Sequence, residues 1–138
     1  MDVFTRFRRS EIMTRIHSKN TKPEVELRHL LHAAGYRYRL HVKELPGKPD
    51  IVLPRFRTVI QVHGCFWHSH SCTRGKAPSS RQAFWLPKLA ANTKRDLSNR
   101  RDLRRLGWTV ITVWECQLRD SGMELQINKI KSKLQAIA

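Results

Sequence analysis

Ten consecutive residues, from His63 to Cys72, concentrate the groups of this chain that could do chemistry. The segment has the sequence HGCFWHSHSC and contains three histidines, two of the three cysteines and an adjacent pair of large aromatic residues. Thiolate and imidazole are the ligands that zinc prefers, and histidine is also the side chain that can exchange a proton near neutral pH. The segment therefore predicts a zinc site beside an active site, next to rings that could enter a base stack.

The zinc prediction depends on spacing. Four residues separate Cys65 from His70, one separates His70 from Cys72, and Cys116 is the remaining cysteine. Four soft ligands in a tetrahedron form a closed, structural site, which leaves no position for a catalytic water. The alternative is that Cys116 is a small buried apolar residue and that the other two cysteines are free thiols.

A second group of residues could hydrolyse a phosphodiester. Asp50 begins one predicted strand, and His63 ends the next. A carboxylate and further ligands at adjacent strand ends commonly hold Mg²⁺ beside a phosphate. Asp50 is the candidate metal ligand, whereas His63 and His68 are candidates for the general base and for a group that stabilises charge in the transition state.

Two further acidic residues have ordinary structural explanations. Glu24 falls in the first turn of a predicted helix, where a negative charge interacts favourably with the helix dipole. Asp96 lies four residues before Arg100 in another predicted helix and could form an ion pair with it. From the residues alone, these explanations are sufficient for both.

The charge of the chain indicates a polyanionic partner. Lys and Arg number 27 against 11 Asp and Glu, a net charge of +16. Nucleic acid is the leading candidate, although charge does not distinguish DNA from RNA, and no basic amphipathic helix favours a membrane surface. No apolar run is long enough to span a bilayer, and no signal peptide is recognised. The odd number of cysteines, three, is typical of a protein in a reducing cytoplasm.

The elements that must position these residues alternate along the chain. We predict a basic N-terminal arm over residues 1–20 and a single domain over residues 21–138. Periodicity, Gly and Pro predict the order α, α, β, β, β, α, β, α, which implies a mixed sheet with helices on both faces. After the arm, the predicted elements are a helix ending at Gly35, strands over 36–41, 50–53 and 58–62, a helix over 82–106, a strand over 108–114 and a helix from Met123.

Several of these motifs, in this order, resemble the very-short-patch repair DNA mismatch endonuclease family. The resemblance extends from Glu24 to Cys116, most of the chain, and HGCFWH is its most specific string. The matching motifs are Gly47-Lys48-Pro49-Asp50, His63 to His68, Phe84-Trp85-Leu86, Asn92 with Arg95-Asp96, and Leu106-Gly107-Trp108 followed by Val113 to Cys116.

The resemblance implies an α/β restriction-endonuclease-like fold of the PD-(D/E)xK type with a structural zinc site. It also implies a Mg²⁺-dependent endonuclease that nicks one DNA strand 5′ of the thymine in a T:G mismatch, leaving a 5′-phosphate and a 3′-hydroxyl. By resemblance, Asp50 and the backbone carbonyl of Val62 bind Mg²⁺, and His68 activates water. The remaining implied site residues are His63, Glu24, and Asp96 as the partner of His68, together with the zinc ligands Cys65, His70, Cys72 and Cys116.

The chain departs from the family pattern at Val62, where the family commonly has Thr. A backbone carbonyl is available from either residue, whereas a role for the hydroxyl would be lost. The segment Gln61-Val62-His63 also departs from the E-x-K half of the wider nuclease motif, because histidine stands in the place of lysine.

The resemblance also assigns DNA contacts. Phe66, Trp67 and Trp85 are predicted to intercalate, although a tryptophan is more often a core residue. We expect Trp108 and Trp114 to be core or sheet-edge residues. Lys88 and Asn92 are candidate DNA contacts by resemblance, and the charge of the basic arm adds Arg8, Arg9, Arg15 and Lys19.

We therefore expect a monomeric protein of the bacterial cytoplasm, associated with the nucleoid. Its partner would be double-stranded DNA with a T:G mismatch, and mismatch-repair proteins are possible further partners. Two alternatives remain open: a related nuclease with a different mismatch or site specificity, and a zinc-stabilised DNA-binding module without cleavage activity.

Overall fold

The computed structural model describes residues 21–72 and 75–137. The predicted basic arm, with Arg8, Arg9, Arg15 and Lys19, lies outside the described residues. None of the described helices is both long and apolar enough to cross a membrane.

A mixed sheet of four strands forms the centre of the domain. The strands lie in the order β1-β2-β3-β4, with β1 over Arg39–Leu40, β2 over Ile51–Leu53, β3 over Thr58–His63 and β4 over Thr109–Trp114. The pairs β1–β2 and β2–β3 are antiparallel, and β3–β4 is parallel. The predicted mixed sheet is confirmed, and β2 and β3 form a hairpin.

Three helices surround the sheet: α1 over Lys22–Ala33, α2 over Gln82–Arg105 and α3 over Met123–Ile137. Pro23 lies in the first turn of α1, where its missing N–H costs no helical hydrogen bond. Gly35 (φ +98°) and Gly107 (φ +90°) follow α1 and α2 in left-handed conformations that favour glycine. The predicted positions of the three helices are confirmed within a few residues.

The first strand is shorter than the sequence predicted. Of residues 36–41, only Arg39 and Leu40 pair with β2. The next residue, His41, has φ +46°, which is outside the extended region and ends the strand. The alternation of polar and apolar residues continues through His41 although the backbone turns there. The strand predicted from this alternation was therefore too long.

The strands bury alternate residues on opposite faces of the sheet. On one face, Ile51 and Ile60 pack with Leu27 of α1 and Leu134 of α3. On the other face, Val52 and Val59 pack with Leu103 of α2. Helices on both faces are therefore confirmed, and the burial of each large aliphatic side chain stabilises the domain by about 1.5–3 kcal/mol.

Helix α2 is held to the domain by few apolar contacts. Along its 24 residues, Leu89 and Leu103 are the buried ones. The same helix carries Trp85, Lys88, Asn92 and Asp96. The positions of these four side chains thus depend on a small number of anchoring residues.

We predict that Leu103→Ala destabilises the domain by about 2–5 kcal/mol, because it removes a fully buried side chain and leaves a cavity. Urea denaturation followed by circular dichroism measures the effect. Leu97→Ala is the control, because Leu97 lies on the same helix but is 57% exposed, and its replacement should change stability by less than about 0.5 kcal/mol. Equal stabilities of the two variants would show that Leu103 does not anchor the helix.

Candidate active site and metal centre

The candidate catalytic residues meet at one edge of the sheet. Asp50 immediately precedes β2, and His63 is the last residue of β3. Because these strands are antiparallel, the start of β2 lies beside the end of β3. The backbone N–H of Val62 donates a hydrogen bond to Asp50 Oδ2 over 2.8 Å. A cleft of about 200 Å³ at this edge is lined by residues that include Asp50, Gln61, Val62, His63, His68 and Asp96.

Two histidines and a carboxylate form the centre of this cleft. The rings of His63 and His68 stack in parallel, with their centroids 3.8 Å apart. His68 Nδ1 lies 2.5 Å from Asp96 Oδ2 of α2. Asp96 thus contacts His68, the partner that the family resemblance implies. A neutral His68 that donates Nδ1–H to Asp96 carries its basic lone pair on Nε2.

Glu24 is held more tightly than a helix-dipole interaction requires. It is 2% exposed, and its Oε2 lies 3.0 Å from both Arg28 Nη1 and His41 Nε2. Oxygen or nitrogen atoms of Glu24, His41 and Asp50 lie within 4.8 Å of one another. The sequence prediction missed His41, because it fell in a predicted strand and no spacing connected it to Glu24.

The electrostatics of Asp50 fit a site for a divalent cation. Burial raises the pKa of Asp50 to about 7, and the negative charge of Glu24 adds to the increase, against a decrease from the Val62 hydrogen bond. A buried carboxylate facing a second one is stabilised by a proton or by a cation. Among the described residues, Gln61 Oε1 is the buried side-chain oxygen that lacks a hydrogen-bond partner. These oxygen donors fit a hard cation.

The three cysteines converge with His70 beside this cleft. One ligand atom from each of Cys65, His70, Cys72 and Cys116 lies within 4.8 Å of the other three, and none of the three cysteines is in a disulfide. Burial raises the pKa of Cys65 to about 12, and the sulfurs of Cys116 and Cys72 add to this increase. A soft cation would hold such thiols as thiolates. Convergence of the four groups argues against separate thiols and a small core cysteine.

Gly75 packs closely against the loop that carries the candidate metal ligands. A β-carbon at this position would lie 1.7 Å from the carbonyl oxygen of His70, so that another residue would displace the loop. The N–H of Gly75 also donates to the carbonyl of Cys72 over 3.0 Å.

Trp114 ends β4, an edge strand of the sheet, in agreement with the expected core or sheet-edge position, and it connects the two sites. Its ring stacks on His70 with a centroid distance of 4.1 Å. Its distances to His63 and His68 are 5.3 and 6.3 Å, with both planes steeply inclined to the indole. Because these two distances are similar, the indole lies alongside the histidine stack. The side-by-side register of His63 and Trp114 in the sheet explains the contact.

The predicted intercalating residues form one aromatic cluster. Phe66, Trp67 and Trp85 are mutual neighbours, with centroid distances of 5.2–5.7 Å. Phe84, 39% exposed, extends the cluster at 4.9 Å from Trp85 and was not predicted to belong to it. All four lie outside the two core clusters of the described residues and keep part of their surface exposed. The core interpretation of these rings is therefore wrong.

A basic groove joins the aromatic cluster to the cleft. Lys88 Nζ lies 5.4 Å from the centre of the Trp67 ring, and Asn92 Nδ2 donates to the Trp67 carbonyl over 3.3 Å. Asn92 thus braces the loop from α2. The groove has a volume of about 660 Å³, and its lining includes Lys43, Lys48, Lys88 and Arg95 together with His68 and Asp96. The groove thus carries positive charge and reaches the candidate catalytic residues His68 and Asp96. Such a charge would attract the phosphates of a nucleic-acid backbone.

Comparison with known proteins agrees with this arrangement. The sequence profile described as DNA mismatch endonuclease Vsr matches residues 1–74. The chain is 43% identical over 118 residues to the DNA mismatch endonuclease Vsr of Escherichia coli, a match that covers 86% of this chain and 76% of that protein. It is 50% identical over 124 residues to the type II nicking enzyme V.XorIIP of Xanthomonas oryzae, covering 89% and 91%. It is 48% identical over 122 residues to the type II nicking enzyme V.NmeAIP of Neisseria meningitidis, covering 88% and 87%. A profile match to half of the chain, and relatives this similar over most of both sequences, show that the chain belongs to the Vsr family of DNA mismatch endonucleases.

Proposed function

We propose that this endonuclease uses Mg²⁺ to nick one DNA strand 5′ of the thymine in a T:G mismatch, the lesion left by deamination of 5-methylcytosine. The observation that carries the proposal is the pair His68–Asp96 in a cleft with Asp50, at the end of a basic groove that leads from an aromatic cluster. The mismatch endonuclease relative from Escherichia coli supports it.

His68 is the proposed general base. Its Nδ1 faces Asp96, so Nε2 is the nitrogen that accepts a proton from the attacking water. The water oxygen bonds to phosphorus, and the bond from phosphorus to the 3′ oxygen breaks. The products are a 5′-phosphate on the thymidine and a 3′-hydroxyl on the preceding nucleotide.

Asp50 and the Val62 carbonyl would hold Mg²⁺, which supplies charge neutralisation for the phosphate when it is bound. The replacement of the family's Thr by Val62 leaves this carbonyl in place. His63, stacked on His68, is placed to stabilise the additional negative charge of the transition state.

The aromatic cluster is the proposed mismatch reader. Phe66, Trp67 and Trp85 would enter the base stack, with Phe84 beside them. Unstacking a base step costs a few kcal/mol, and the cost is smaller at a mismatch than at a paired step. Because these rings are partly exposed, they can reach the DNA. Their insertion would favour a mismatch over intact DNA, since the mismatch is easier to unstack.

Zinc is the proposed ion of the cluster of Cys65, His70, Cys72 and Cys116, because three thiols and an imidazole form a closed tetrahedral set. In this role the ion holds the loop after β3 to the end of β4. Trp114, which stacks on the ligand His70 and lies alongside His63 and His68, would transmit the rigidity of that site to the catalytic histidines.

We predict that Asp50→Asn abolishes nicking and leaves binding of T:G duplexes largely unchanged, because it removes the metal ligand and not the groove. The assay offers duplexes with T:G, with other mismatches and with intact pairs, each with and without Mg²⁺. Asp120→Asn, at an exposed carboxylate, is the control. Nicking of several mismatches would indicate a broader specificity, and binding of T:G by the wild type without nicking would indicate a DNA-binding module.

The same variant should change the pH dependence of stability in the metal-free protein. Because the folded pKa of Asp50, about 7, lies above its ordinary value of 3.8, ionisation of this group opposes folding. Its contribution to stability is greatest below pH 3.8 and decreases as the pH rises to about 7. Asp50→Asn should therefore be more stable than the wild type above pH 7, as measured by urea denaturation. A variant that is less stable there would contradict the raised pKa of Asp50.

We predict that Asp96→Asn lowers the single-turnover nicking rate by about 10²- to 10⁴-fold, because an amide no longer selects one tautomer of His68. Affinity for the T:G duplex should be unchanged. Asp102→Asn, on the same helix, should nick at the wild-type rate. An Asp96→Asn variant that nicks like the Asp102→Asn control would remove Asp96 from the mechanism.

We predict that Cys116→Ser lowers the zinc content and the free energy of unfolding, because it removes a ligand from a closed site. Nicking and selectivity for T:G should decrease together, since Trp114 joins the two sites. Ser71→Ala, a change at an exposed residue between two of the ligands, should keep its zinc. Elemental analysis measures the metal, and an unchanged zinc content in Cys116→Ser would exclude Cys116 as a ligand.

A further inference from the structure

Gln61 is a buried polar residue whose place in the active-site cleft is unexplained by the mechanism above. Its exposed fraction is 6%, and its side-chain oxygen, Oε1, lacks a hydrogen-bond partner among the described residues. The residue lines the cleft together with Asp50, His63 and His68. An unpartnered buried acceptor is destabilising unless a ligand satisfies it, so that its position in a cleft is informative.

The pairing of β2 with β3 puts Gln61 next to Asp50. Ile51 pairs with Ile60 in an antiparallel register, and one step further along the ladder Asp50 lies opposite Gln61. Residues directly opposite each other project to the same face of a sheet. The Asp50 carboxylate is also held against this segment by the hydrogen bond from the N–H of Val62.

We propose that Gln61 Oε1 is a neutral oxygen ligand of the divalent cation that Asp50 binds, an inference that rests on the proposed function. An amide oxygen is a hard donor of the kind that Mg²⁺ and Mn²⁺ accept, and binding would satisfy the one buried side-chain acceptor that lacks a partner within residues 21–72 and 75–137. Gln61 also stands where the wider nuclease motif has an acidic residue. The site therefore has an amide in a position where a second carboxylate would be possible.

The charge balance of the cleft explains why an amide is sufficient. Glu24 is already bonded to Arg28 and His41, and ligand atoms of Glu24, His41 and Asp50 lie within 4.8 Å of one another. A third carboxylate would increase the repulsion in the metal-free protein. A neutral ligand avoids this, and it leaves part of the cation's charge to be balanced by the DNA phosphate. The cation should therefore bind weakly without DNA.

The test is a Mn²⁺ titration of the full chain, with zinc bound and without DNA, followed by electron paramagnetic resonance. Gln61→Leu should raise the Kd for Mn²⁺ about tenfold, because it removes an oxygen ligand at similar volume. Gln61→Glu should lower the Kd about tenfold, because it adds a charge to the ligand set. The control is Gln126→Leu in α3, since Gln126 is equally buried at 5% exposure but lies outside the cleft.

An unchanged Kd in Gln61→Leu, in a protein whose Mn²⁺ binding is lost in Asp50→Asn, would overturn the proposal. If Gln61→Leu does not fold, as judged by thermal denaturation, Gln61→Glu decides: tighter binding supports the proposal and unchanged binding overturns it. Failure of the wild type to nick a T:G duplex in Mg²⁺ would instead overturn the proposed function. If the wild type nicks the T:G duplex but the Kd for Mn²⁺ is unchanged in the Gln61 variants, only the role of Gln61 is overturned.

Discussion

The parallel pairing of β3 with β4 is the constraint on which both sites depend. The loop from Cys65 to Cys72 follows β3, and Cys116 follows β4, so the two segments meet only if both strands end at the same edge of the sheet. In an antiparallel pair, Cys116 would lie at the opposite edge. The same pairing sets His63 beside Trp114, which joins the cysteine cluster to the candidate catalytic histidines.

Helix α2 imposes a second constraint. Trp85, Lys88, Asn92 and Asp96 are spaced by three or four residues and therefore lie along one side of the helix. Trp85 belongs to the aromatic cluster, Lys88 lies over the Trp67 ring, Asn92 braces the loop, and Asp96 contacts His68. A displacement of this helix would therefore move part of the aromatic cluster and the partner of His68 together. In the proposed function, this shared helix would couple mismatch recognition to strand cleavage.

Much of the domain was predictable from local patterns. Short apolar runs marked β2, β3 and β4, and Pro23, Gly35 and Gly107 marked helix boundaries. The Cys and His ligands were recognisable because three of them are close in sequence. The first strand was predicted too long, since polarity alternates through His41 although the backbone turns there. Local patterns succeed where the interactions that form an element are themselves local.

The sequence by itself determined the element types, the ligand-rich loop, the excess of positive charge and, through its motifs, the family. Only the tertiary structure decided that His41 meets Glu24, that Trp114 bridges two sites and that the Gln61 oxygen is buried without a partner. The reason is physical. Periodicity and turn residues act over a few neighbours, whereas contacts between distant side chains follow from strand register and helix docking, which burial of the whole core sets.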